Sequence, residues 1–201
     1  SQMKELFERV VDVARGAALM TGTTMKYEIT MAFSDYVPND TLGKIAAECM
    51  MEVGAPKWET SDYELAKKFL NSYDPVTLET IKEDIVQTYG GDQLAKILER
   101  PLDDQVHPYV AGVHEYESGS TDVGDVGYAA PTLNLNVSTC CIGNVGHTWQ
   151  MTAQAGSVLG HKGLLTAAKA LALSTIRTME SPEVMEAAKA EFVAKTGGVY
   201  R

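Results

Sequence analysis

Residues 3 to about 20 place Leu6, Val10, Val13, Ala14 and Ala17 on one stripe at helical spacing, with Glu5 four positions before Arg9 and Gly22 just past the end. This predicts a helix. From Thr24 to Phe33 the period drops to two: Met25, Tyr27, Ile29, Met31 and Phe33 alternate with Thr24, Lys26, Glu28, Thr30 and Ala32. Such alternation predicts a strand with one wet face. One helix and one strand cannot close a core, so they are expected to belong to a sheet-and-helix unit whose other strands lie elsewhere, or to pair with another chain.

Start and stop signals then delimit a run of helices. Asn39 follows Pro38 as an N-cap for a helix reaching Val53 before Gly54, and Ser61-Asp62-Tyr63-Glu64 reads as a capping box. Asp74-Pro75 caps a helix that runs to Tyr89 before Gly90-Gly91. Residues 57 to about 100 carry ordinary helical chemistry and no motif. Alternation returns over Thr132 to Ile142, where Leu133, Leu135, Val137, Thr139 and Cys141 share one face and Asn134, Asn136, Ser138 and Cys140 the other. The helix expected over 160–179 carries only Lys162, Lys169 and Arg177 as charges, which predicts that most of it is buried against a sheet. A last helix, capped by Ser181 with Pro182 in its first turn, runs to about Lys195 before Gly197-Gly198. The fold class expected from these elements is α/β.

Charge and cysteine usage narrow the partners. A formal net charge of -10 over 201 residues disfavours nucleic acid and anionic membranes, both of which need clustered Lys and Arg. Apolar runs fall short of the roughly 18 residues of a membrane span. The acidic, amphipathic N-terminus is unlike a signal peptide, so a cytoplasmic location is expected. Cys49, Cys140 and Cys141 do not make a disulfide framework, and reduced, structural thiols are expected.

The chemistry-bearing residues gather late in the chain. His147 sits in a Gly-Asn-Val-Gly-His turn after the predicted strand, where α/β folds tend to place sites, and a neutral imidazole there suits Zn or Mn. On spacing alone a loop hydrogen bond is the better account of it, and His147 is not assigned as a ligand on that basis. Asp122 and Asp125, three apart on a short helix beginning near Thr121, could orient a ligand or a water, or could cap that helix and sit at its positive end. His107 and His114 read as surface or loop residues, and His161 opens the long apolar helix, where it could reach substrate or an anion. Compact zinc spacing, Cys-x-x-Cys and a Gly-x-Ser-x-Gly elbow are all missing.

Three segments carry a family resemblance: Gly119-Ser-Thr-Asp-Val-Gly-Asp-Val-Gly-Tyr with the following Ala-Pro-Thr, Gly146-His-Thr-Trp-Gln-Met-Thr-Ala-Gln-Ala-Gly, and Gly160-His-Lys-Gly-Leu-Leu-Thr-Ala-Ala-Lys. With Arg15-Gly-Ala-Ala-Leu-Met-Thr-Gly-Thr and Tyr36-Val-Pro-Asn-Asp-Thr-Leu upstream, the chain resembles the C-terminal region of the aminobenzoyl-glutamate hydrolase group of metal-dependent amidohydrolases, relatives of aminoacylases and carboxypeptidase G. The resemblance implies that residues 1–36 are the last helix and strand of a lid or dimerisation domain, and that 37–201 are the C-terminal part of the catalytic domain. It implies that His147 is the family's late metal ligand, with Asp122, and beside it Asp125, Asn39 and His161, on the supporting or substrate side.

The resemblance also implies a deficiency. The complete enzyme would use two divalent ions, Zn or Mn, to activate a water against an amide bond, with a Glu moving the proton. The remaining ligands and that Glu have no match in this sequence, so no catalytic residue is assigned here and the isolated chain is expected to be inactive. The expected role is a fragment of a hydrolase acting on an N-acyl or aminobenzoyl amino-acid amide, a small-molecule substrate. The chain would form homo-oligomers or join a missing N-terminal half. The alternatives are a non-catalytic association module and one subunit of a split hydrolase.

Overall fold

The computed structural model describes residues 2–113, 119 and 121–198. His114 lies outside them. Nine helices occur among the described residues: α1 (Gln2–Thr21), α2 (Asp40–Val53), α3 (Thr60–Leu70), α4 (Pro75–Tyr89), α5 (Leu94–Glu99), α6 (Val123–Ala129), α7 (Trp149–Ala155), α8 (Val158–Glu180) and α9 (Pro182–Thr196). The chain divides into two compact units, Ser1–Ser34 and Asp35–Arg201.

The α/β class is overturned. No β-strand occurs among the described residues, and the structure they form is all-helical. A strand exists only through its ladder, and the two period-two segments belong to no ladder among the described residues. Over 24–33 the alternation produces no dry face at all, since Tyr27, Ile29 and Met31 are exposed. Over 132–142 it is expressed in burial but not in pairing: Leu133, Leu135 and Val137 are half-buried while Asn134 and Asn136 face solvent.

In the first unit α1 is the predicted helix, but its covered side is different. Val11 is buried and the Phe7 ring meets that of Tyr27 edge-on at 5.6 Å, whereas Leu6, Val10 and Val13 of the predicted stripe are exposed. Tyr27, in the segment that follows the helix, therefore meets the Phe7 side of α1.

The second unit holds the core. Tyr63, Ala66 and Leu70 of α3, Ile81 and Ile85 of α4, and Ile97 of α5 pack with Tyr73, Leu102, Cys141 and Leu159. A further layer joins α2 to α8 and α9 through Ala46, Cys49, Met50, Ala170 and Ala188. Helix starts follow the predicted chemistry, with Asn39 accepting from the Leu42 N–H at 3.0 Å and Asp74 from those of Val76 and Thr77. The capping box is shifted by two residues: α3 starts at Thr60, and the Asp62 carboxylate accepts from the Glu59 N–H at 2.8 Å. Buried Asp62 also receives Lys162 Nζ of α8 at 2.6 Å, which ties α3 to α8. Burial works against its charge, yet the Glu59 N–H and the Lys162 ammonium prevail and hold its pKa below the usual value.

Candidate functional site

The loop 141–148 is positioned from beneath by a buried polar network. Gln154, fully buried on α7, accepts from the Cys141 N–H at 2.8 Å and donates to Asn144 Oδ1 at 2.8 Å and to the Gln150 carbonyl at 3.3 Å. The Tyr73 hydroxyl donates to Asn144 Oδ1 at 3.3 Å and accepts from the Val145 N–H at 2.9 Å. Each partner is satisfied, so the network fixes the loop instead of destabilising the core. Gly143, at φ 80°, lies against Ile81: a Cβ there would stand 2.3 Å from Ile81 Cγ2. Thr148 closes the far end, donating to the Val145 carbonyl at 2.8 Å and capping α7 through the Met151 N–H.

This braced loop presents His147. Its ring is exposed, and its φ of 57° is the single positive value on a non-glycine among the described residues. The left-handed conformation costs a residue with a Cβ about 1–2 kcal/mol, and it persists where the surroundings over-determine it. Here the surroundings are Asn144, Val145 and Thr148, each held by a named hydrogen bond.

The other predicted residues stand elsewhere. Asp122 is the exposed N-cap residue of α6 and makes no capping hydrogen bond with its side chain, and Asp125 lies in the first turn. Gly127 of α6 packs on Val37, and α6 touches α9. Asn39 is buried at the start of α2, donating from Nδ2 to the Ala188 carbonyl at 2.9 Å and from its backbone to the Thr132 carbonyl at 3.1 Å. It therefore works as a cap and a clamp between α2, α9 and the 130s segment. His161 is exposed in the first turn of α8, and His107 is an exposed loop residue bonded to Asp103 at 2.6 Å.

A second network, unmarked by any motif, surrounds Asn39. Glu191 of α9 accepts from the Asp40 N–H at 2.6 Å, from the Thr41 N–H at 2.9 Å and from the Thr41 hydroxyl at 2.7 Å. Asp40 accepts from the Tyr109 hydroxyl at 2.6 Å and the Gly112 N–H at 3.0 Å, and Lys195 bridges Asp40, Glu191 and the Pro38 carbonyl. The Tyr109 hydroxyl above all, with Gly112 and Lys195, keeps Asp40 far below the ordinary carboxylate range. Burial opposes the Glu191 charge, but Lys195, Thr41 and the α2 N–H groups bring its pKa to about 2.

Among the described residues no group of three His, Cys, Asp or Glu side chains lies close enough to share a metal ion. The described residues do not by themselves fit a metal centre. No helix among them is long and apolar enough to cross a membrane. Gln154, Asn144 and Tyr73 escaped the sequence reading. The available signal was Gln150 and Gln154 four apart, on the inner face of a helix otherwise short of polar groups.

No family model matches the chain and no solved structure matches it. Among curated proteins it is 31% identical over 179 residues to one of the subunits of p-aminobenzoyl-glutamate hydrolase from Escherichia coli strain K12. The alignment covers 88% of this chain but 37% of the relative's length. On that similarity the chain belongs to the aminobenzoyl-glutamate hydrolase group.

Proposed function

We propose that this chain is the C-terminal portion of a metal-dependent amidohydrolase that cleaves an aminobenzoyl- or N-acyl-amino-acid amide, glutamate-like on the leaving side. The observation that carries the reading is the 31% identity over 179 residues to a protein named for aminobenzoyl-glutamate hydrolysis. The loop around His147 supports it physically: a buried framework holds an exposed imidazole in a backbone conformation that the residue would not choose alone. In this reading His147 is one donor to a centre of Zn or Mn, and the other donors come from polypeptide outside these 201 residues. Asp122, Asp125 and His161 stand near the substrate side of the assembled enzyme, and residues 1–36 belong to its lid. The relative is named as a subunit, which favours an assembly over a solitary active chain.

The test is hydrolysis of p-aminobenzoyl-glutamate, followed by release of the aromatic amine. The 201-residue chain alone is expected to show none and to bind Zn or Mn weakly. The full-length protein carrying these residues is expected to turn over, and its His147→Ala variant to lose at least 100-fold in kcat/KM, together with metal content. Turnover by the chain alone, or full activity in the variant, refutes the assignment.

A further inference from the structure

The chain has two tryptophans, and they are used differently. Trp58 is half-buried against the main core, and its indole N–H donates to the Asp103 carbonyl at 2.8 Å. Trp149 is 63% exposed, although tryptophan is on average among the more buried residues. Its position is nevertheless fixed. It opens α7, between Thr148, which caps that helix, and Gln150, which is buried. The Phe69 ring backs the indole at 6.4 Å between centroids and a tilt of 56°, so Phe69 supports it without lying flat on it. Phe69 itself packs against the core. The result is a large, braced aromatic surface held out from the protein.

Trp149 is also two residues from His147. Successive Cα atoms stand about 3.8 Å apart, so the Cα atoms of this pair are at most about 7.6 Å from one another. Between Ile142 and Thr152 no other residue carries a benzenoid or indole ring. An aroyl amide makes this closeness matter, because its ring is bonded directly to the carbonyl carbon that is attacked. Whatever that ring lies against must adjoin the residues that act on the carbonyl. An alkanoyl amide presents no π face there and gains from an indole only ordinary apolar contact.

We propose that Trp149 is the surface on which the aromatic ring of the acyl group stacks, and that this residue makes the site prefer an aroyl amide to an alkanoyl one. The inference rests on the reading that His147 stands at the reacting centre, and it names the side chain that reads the acyl half of the substrate. A braced indole suits that task, since it has little rotamer freedom left to lose when a ring settles on it. An offset-stacked aromatic pair strengthens binding by roughly 2- to 13-fold beyond the apolar area that it buries.

The full-length protein carrying these residues is compared in three forms, parent, Trp149→Leu and Trp149→Phe, by calorimetric binding of p-aminobenzoate and by hydrolysis of p-aminobenzoyl-glutamate and N-acetyl-glutamate. Trp149→Leu is expected to weaken p-aminobenzoate binding about 10-fold and to raise KM for p-aminobenzoyl-glutamate by a similar factor, with kcat within about 2-fold of the parent. Its kinetics on N-acetyl-glutamate should also stay within about 2-fold. Trp149→Phe, which keeps an aromatic face, should recover most of the loss. Parallel losses on both amides would show that the indole braces the fold or lies under other polypeptide, and would overturn the proposal. Binding and KM for the aromatic ligands that do not depend on Trp149 would overturn it too. A parent that binds p-aminobenzoate through Trp149 yet hydrolyses neither amide refutes the amidohydrolase reading and leaves the stacking surface standing.

Discussion

Gln154 braces the candidate loop from beneath, and Gly163 lets the 130s segment reach α8. Gly163→Ala drives a methyl group into the Ser138 carbonyl, which cannot move without shifting the whole 130s segment. A loss of about 1–3 kcal/mol is expected from such overpacking, read as a lowered urea midpoint with unchanged slope. His147→Gly should behave in the opposite way. It relieves the left-handed backbone, so stability should stay within about 1 kcal/mol of the parent even though the imidazole is gone. A large destabilisation in urea melts would mean that His147 serves the fold. The cysteines test the interior: Cys49 and Cys141 are buried, and burial, with Cys140 alongside, pushes the Cys141 thiol up to about 12. A thiol reagent at neutral pH should modify at most half-buried Cys140 in the native chain and all three cysteines in denaturant.

Helix ends are where the sequence was most legible. Asn39 and Asp74 cap as expected because a capping side chain needs only its own next three residues, a purely local geometry. Strands were misread for the converse reason: 24–33 and 132–142 have the pattern, but the pattern becomes a sheet only with partners that these residues do not supply. The Glu191–Asp40 network was invisible because it joins positions some 150 residues apart. It has a pH consequence. Glu191 has a native pKa of about 2 against an ordinary value near 4.5, and Asp40 is likewise depressed. Their stabilisation is fully present above about pH 4.5 and is lost as pH falls through about 2, with Glu191 alone contributing up to about 3 kcal/mol. Acid unfolding monitored by circular dichroism should therefore shift toward higher pH in Glu191→Gln, while the two proteins differ by a smaller, pH-independent amount below pH 2.

The two units carry unequal shares of the interior. Every residue of the main core cluster lies in the second unit, whereas Val11 is the buried apolar residue of the first. A chain beginning at Asp35 should therefore keep the helical signal of α2 to α9 and unfold within a few degrees of the parent. A loss of cooperative unfolding in that truncation would show that the first unit contributes to the core. Large apolar side chains are exposed on both α1 and α8.

The order of residues alone determined the longer helices, the Asn39 and Asp74 caps, the position of the histidine turn and the family, because each depends on neighbours within a few positions or on a linear match. Which face of each helix is covered, whether an alternating segment becomes a strand, and what holds the His147 loop in place were decided only in three dimensions. Those outcomes depend on groups beyond the reach of local pattern, Gln154 under Cys141 13 residues away and Glu191 under Asp40 151 residues away.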